Sequence, residues 1–194
     1  MKKPVSALLA LVFLAAAPVV HAQDGTAYYG VSIGEIDYSD SESVLGATFS
    51  DSVSSWRLMV GYQFMEHLGV EGSYGESSTV HDTATFLLGG ESLDLGFDTG
   101  YDKILTIRLL GTLPFDNGFS LMAGLGYADF DQEASLSVNG ELVATADFSD
   151  NRPTYFFGAQ YDFERIALRL GYEKFDLDGD VDSEEISLTF FYKI

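Results

Sequence analysis

Few residues in this 194-residue chain carry groups able to do chemistry, and most of those sit where chemistry is hard to organise. Asp176-Leu-Asp-Gly-Asp-Val-Asp182 places carboxylates at alternate positions, as the opening of a calcium loop does. Its sixth position is Val181 instead of Gly and its twelfth is Ser187 instead of Glu, so the run fails as an EF-hand and reads as a solvated acidic loop with at most weak divalent affinity. His81-Asp82, with Ser77, Ser78 and Thr79 just upstream, has the residue types of nucleophilic catalysis. That chemistry needs a third group fixed beside the imidazole, and a long polar loop fixes nothing. His67 falls in a short turn. With no cysteine, thiolate nucleophiles, thiolate metal sites and disulfides are excluded. The expectation is therefore no catalytic residue, no metal and no cofactor. A different set is more informative: Arg57, Glu71, Arg108, Arg169 and Glu173 interrupt the small, polar side of otherwise alternating segments. Long charged groups spaced in that way suit ion pairing inside a confined polar space.

The elements that would position them follow from composition and pattern. Thirty acids oppose ten Lys and Arg, for a formal charge of −20, which argues against nucleic acid as a partner because phosphate binding needs clustered cations. A hydrophobic fraction of 46% excludes a disordered chain. Lys2 and Lys3, the apolar run Ala7 to Ala17 and the small-residue site Val20-His21-Ala22 predict a secretory signal peptide over residues 1–22. The apolar run is too short for a membrane helix, which needs about 20 residues. Residues 23–194 then form one domain, and losing Lys2 and Lys3 makes it more acidic still.

That domain alternates at period two. In Trp56 to Phe64 the even positions are Trp, Leu, Val, Tyr and Phe, and the odd ones Arg, Met, Gly and Gln. Successive strand side chains face opposite sides, so such a segment has one greasy and one small or polar face. The same split marks residues 29–34, 68–74, 105–112, 119–127, 155–163, 166–173 and 186–194, giving eight strands. Short connections (65–67, 114–118, 162–165) alternate with long ones (37–54, 76–100, 129–153, 176–185), and the long ones hold 21 of the 30 acids. Asn139-Gly140, between alternating residues, predicts a tight hairpin that carries strands five and six beyond the others.

Which face points outward decides between a secreted carrier with an oily interior, of the lipocalin kind, and a membrane barrel. Two features favour the membrane. The polar face bears the five long charged groups. The greasy face ends in aromatics on the long-loop side of six strands, at Trp56, Tyr74, Tyr101, Tyr127, Tyr155 and Tyr172, with Tyr62, Phe64, Phe119, Tyr161, Phe163 and Tyr192 near the other rim. Two aromatic girdles around an aliphatic band match the two interfaces of a bilayer. The predicted fold is all-β: an eight-stranded antiparallel up-and-down transmembrane β-barrel with short periplasmic turns and long acidic extracellular loops. Counting from assumed turn centres places Arg57 beside Gly75, Glu71 beside Gly61, Arg108 beside Gly124 and Arg169 beside Gly158, so that each long lumen group faces a glycine. An eight-stranded lumen has room for little more than its own side chains, so the charges should pair across a filled interior. Lys103, alone among charged residues on the greasy face, lies at headgroup level where its ammonium can snorkel.

The leader, the alternating strands and the terminal strand Ile186-Ser-Leu-Thr-Phe-Phe-Tyr-Lys-Ile194 together resemble the small outer-membrane β-barrel family typified by the transmembrane domain of outer-membrane protein A. The resemblance covers residues 25–194. It implies a porin-like domain in the outer membrane of a Gram-negative cell, embedded in lipid and lipopolysaccharide. It also implies that the barrel-assembly machinery reads the last strand, which here ends in Ile194 instead of an aromatic residue. The implied role is structural, adhesive or concerned with small solutes, and not enzymatic. Barrels that modify lipid A use a serine and a histidine on the wall, and no wall histidine is found here. The expected function is a structural and surface-interacting barrel, with a passive, cation-preferring small-solute channel as the alternative and the extracellular partner unknown.

Overall fold

The computed structural model describes residues 25–40, 50–88, 91–175 and 181–194. The proposed leader over residues 1–22 lies outside them. The described residues form nine strands: β1 (Thr26–Asp40), β2 (Ser50–Met65), β3 (Leu68–Ser77), β4 (Val80–Leu88), β5 (Glu91–Pro114), β6 (Phe119–Val138), β7 (Glu141–Phe163), β8 (Ile166–Phe175) and β9 (Val181–Lys193). Each pairs antiparallel with its neighbours in the order β3-β2-β1-β9-β8-β7-β6-β5, and β5 pairs with β3 to close a ring of eight. Closure leaves no open edge at bilayer depth, where an unpaired backbone group costs several kcal/mol.

The ninth strand is the first departure from the sequence reading. The segment 76–100, expected as a loop, contains β4 and the first part of β5, paired from Val80↔Thr99 to Leu88↔Glu91 as a hairpin standing outside the ring. His81-Asp82-Thr-Ala-Thr85 alternates no large apolar residues, so strand periodicity had nothing to register there. The other projecting hairpin follows its turn signal. β6 and β7 pair from Phe119↔Tyr161 to Val138↔Glu141. Asn139 and Gly140 take φ of 52° and 81°, the left-handed pair that matches strand twist. Gly140→Val should therefore cost about 1–2 kcal/mol at the tip. Hydrogen exchange should quicken across residues 133–148 and stay unchanged in the ring; equal exchange in both proteins would show the turn does not set this hairpin.

Two of the expected turn centres are each displaced by one residue. Arg57↔Gly75 and Gly61↔Glu71 are as expected. Arg108 instead pairs with Gly126, and Arg169 with Gln160. Both slips are of two residues, so no side chain changes face. The second turn is centred on Asn117, with Gly118 at φ 82°, and the third is the two-residue Glu164-Arg165, with Glu164 at φ 50°.

One strand does change face. The β5–β6 register shifts between Tyr101 and Lys103. The extra residue inverts parity, so Tyr101 is buried inside the barrel at 7% exposure instead of joining the outer girdle. Its N–H donates to Ser77 Oγ at 2.9 Å, and its ring lies 5.1 Å from that of Phe130. The placement of Tyr101 in the girdle is thus overturned by a bulge. Trp56, Tyr74, Tyr127 and Tyr155 are 40–49% exposed, and Tyr172 shares their outward parity. On β2 the outward series Trp56 to Phe64 covers about 27 Å along the strand at ~3.4 Å per residue. A barrel tilt of about 40° reduces this to about 20 Å of axial height, close to the ~25 Å apolar band of a membrane barrel.

Candidate functional site: a charged chain across the lumen

The inward residues of β1–β3 and β5–β9 converge on one structure. Glu185, Arg57, Glu173, Arg108, Glu71 and Arg169 alternate in sign along a continuous chain across the interior. Arg57 Nη2 meets Glu185 Oε2, and Arg57 Nη1 donates to Glu173 Oε2 at 2.9 Å. Arg108 Nη1 lies 3.3 Å from the same Glu173 oxygen, while Arg108 Nε donates to Glu71 Oε1 at 2.7 Å. Glu71 Oε2 accepts from Arg169 Nη1 at 2.7 Å and from the Tyr28 hydroxyl at 3.1 Å. Arg169 Nε donates to Gln160 Oε1 at 3.1 Å. Three guanidinium groups thus face three carboxylates, and all six side chains are buried. A buried charge without a partner costs several kcal/mol, so sign alternation and equal numbers are what permit such an interior.

The structure brings together all five charged residues named from the sequence and adds Glu185, which the sequence reading placed in the fourth long loop. Glu185 lies beside Glu173 across β8 and β9, and Ser55 Oγ donates to its carboxylate. Its parity with Ser187 and Thr189 was the available signal; the surrounding acidic run hid it.

Aromatic rings inside the barrel were also missed. Arg108 stacks 4.0 Å from the Phe156 ring centroid, Arg169 4.2 Å from Phe191, and Arg57 5.4 Å from Phe175. Such contacts contribute ~2 kcal/mol when desolvated. Phe156 has the parity of Gly158 and Gln160, not that of the greasy face, which was the clue. Its ring lies over Gly171, where an added Cβ would stand 2.7 Å from a ring carbon. Apolar layers bound the charged chain on both sides. Ile36, Val53, Tyr101, Ile104, Ala128, Phe130 and Phe175 lie toward the long hairpins. Met59, Ala167 and Phe191, with Leu110, Met122 and Phe156, lie toward the short turns. At the short-turn end a cavity of about 80 Å³ is lined by Tyr28, Leu110, Arg169 and Phe191 among others.

The remaining candidates disperse. His81 Nδ1 meets Asp98, its cross-strand neighbour on β5, and this hydrogen bond holds the Asp98 carboxyl below the ordinary carboxylate range. Ser135 Oγ donates to the other oxygen of Asp98 at 3.2 Å, and Ser77 Oγ serves Tyr101, so neither hydroxyl is bonded to the imidazole. His67 Nδ1 lies 3.2 Å from the Thr112 carbonyl oxygen in the short-turn rim. The side chains of Asp176 to Asp182 lie outside the described residues. Among the described residues, no three His, Asp or Glu side chains are grouped to hold a metal ion. Lys103 does lie on the outer face, with its ammonium between Asp129 at 3.2 Å and Asp131.

A closed ring of eight strands with an apolar outside and a charged, paired inside inverts the soluble pattern and defines a membrane β-barrel. The chain belongs to the outer membrane protein beta-barrel domain family, whose pattern it matches over residues 6–193. It is a small barrel of the Gram-negative outer membrane. Its fold is similar to that of Ail, the attachment invasion locus protein of Yersinia pestis, solved in complex with the heparin analogue sucrose octasulfate. That match has 18% identity and a TM-score of 0.60, covering 89% of this chain and 100% of that one. Neisserial surface protein A matches at 15% identity and TM-score 0.57, over 89% and 100% of the two chains. OprG from Pseudomonas aeruginosa matches at 15% identity and TM-score 0.55, over 89% and 97%. Among curated protein sequences nothing matches.

Proposed function

We propose that this protein is a structural outer-membrane barrel that presents its projecting hairpins for surface interactions, and that it is not an enzyme. The observation that carries this reading is the charged chain spanning the lumen between two apolar layers. Moving a solute through requires separating buried ion pairs, and breaking one buried pair costs about 3–5 kcal/mol. Lipid and lipopolysaccharide would surround the wall, and the assembly machinery would read β9. The sulfated ligand of Ail is not carried over. Residues 129–152 hold Asp129, Asp131, Glu133, Glu141, Asp147 and Asp150 against Arg152 alone, which repels a polyanion.

The cavity at the short-turn end favours a second reading, a passive cation-preferring channel, because it opens the lumen from that rim as far as Arg169. Planar-bilayer recording separates the two. The structural reading expects no steady conductance from the purified barrel. Steady, cation-selective conductance that changes with Arg108→Ala would replace it with the channel.

A further inference from the structure

We propose that the outward edge of β7 above the membrane is a docking strand for an extended cationic peptide segment of an extracellular partner, taken up by β-strand addition. This deepens the surface-interaction reading and rests on it. The register shows the vacancy. β7 pairs with β6 along nearly its whole length, from Glu141 to Tyr161, but with β8 only from Thr154 to Phe163. Among the described residues no strand pairs with the second edge of residues 141–153, and every residue from Glu141 to Asn151 is exposed.

Such an edge offers a row of unpaired N–H and C=O groups, which proteins ordinarily blunt with lysine, proline or a bulge. Here the protection lies only at the ends. A bulge at Val143 marks the tip and Pro153 the base, where Asp150 also occupies the Asn151 N–H. Ala144-Thr-Ala-Asp-Phe-Ser149 between them has none of the three. Leu142, Val143 and Phe148 are 57–67% exposed, so the edge also offers apolar contacts. Its charges select the occupant. Glu141, Asp147 and Asp150, backed by Asp131 and Glu133 on β6, favour lysine or arginine alternating with apolar residues.

A second copy of this chain fits poorly. Two barrels upright in one membrane would bring these edges together in parallel. Near register, Glu141, Asp147 and Asp150 would each approach its own counterpart, and like charges directly opposite destabilise a strand pair.

The test uses the whole barrel in zwitterionic nanodiscs and a synthetic peptide alternating lysine and valine over about ten residues, enough to cover the unprotected stretch from Ala144 to Ser149 at ~3.3 Å per residue. A second peptide has the same side chains with alternate backbone nitrogens methylated, which removes one row of hydrogen-bond donors. The expected result is binding of the first peptide with slowed amide exchange between Ala144 and Ser149. Methylation, or Thr145→Lys in the barrel, should weaken binding about tenfold, as expected where main-chain bonds carry affinity. No binding of the first peptide, or equal binding of both, overturns the docking strand. Equal binding by a non-conducting barrel would leave the structural role standing, whereas a conducting barrel that discriminates the two peptides would lose that role and keep the strand.

Discussion

Glu71→Ala should destabilise the barrel by about 3–5 kcal/mol, the range for removing one partner from a buried ion pair. Glu71 is where the charged chain is most concentrated. It accepts from Arg108, Arg169 and the Tyr28 hydroxyl. Without it, Arg108 keeps Glu173 at 3.3 Å, but Arg169 keeps only Gln160 and aromatic faces. The residual cost is therefore that of one buried, unpaired guanidinium. Replacing Arg169 as well removes that charge, so the double variant Glu71→Ala/Arg169→Met should be less unstable than the sum of the two singles, with a coupling of about 1–3 kcal/mol. Urea unfolding in lipid vesicles, followed by the fluorescence of Trp56, the only tryptophan, measures both. If Glu71→Ala stays within about 1 kcal/mol of the parent, the chain of ion pairs is not what holds the interior in place.

Gly75→Ala should prevent the barrel from closing properly, whereas Gly72→Ala, three residues away on the outward face of the same strand, should be tolerated. At Gly75 an added Cβ would stand 2.0 Å from the Trp56 carbonyl oxygen and 2.6 Å from Arg57 Cγ. The first of these is backbone and the second belongs to a side chain held by two carboxylates, so neither yields cheaply. At Gly72 the nearest atom is the Thr106 carbonyl oxygen at 3.8 Å, ordinary contact. Overpacking of a filled interior costs typically 1–3 kcal/mol, occasionally more, and here it strikes a backbone pairing of the ring. Electrophoresis with and without boiling reports closure, because a folded barrel migrates differently until heated. The expectation is loss of the heat-sensitive band for Gly75→Ala alone. Retention in both would mean that β2 and β3 can separate locally without opening the ring.

Comparison of particular elements shows where a linear reading reaches its end. Along β2, β8 and β9 the outward apolar series is uninterrupted, and both the strands and their outward faces follow from it, since every second side chain must meet lipid. The Asn139-Gly140 turn was equally legible, because those residues adopt positive φ with little strain. Tyr101 was misplaced for the converse reason. A bulge adds one residue to a strand, and nothing in the residue types around Asp102 announces it; the pairing of β5 with β6 does.

The alternation, the aromatic rims and the long charged groups on the small-residue face by themselves determined that this chain is an eight-stranded membrane barrel with arginines and glutamates inside. Periodicity acts locally, and the bilayer rewards it residue by residue. Which glutamate meets which arginine, that Glu185 balances the third guanidinium, that Phe156 lies between two of them, and that part of β7 is left without a neighbour were decided only by the tertiary structure. Those facts depend on register and shear across strands distant in sequence, and a shift of two residues preserves every local preference while changing every partner.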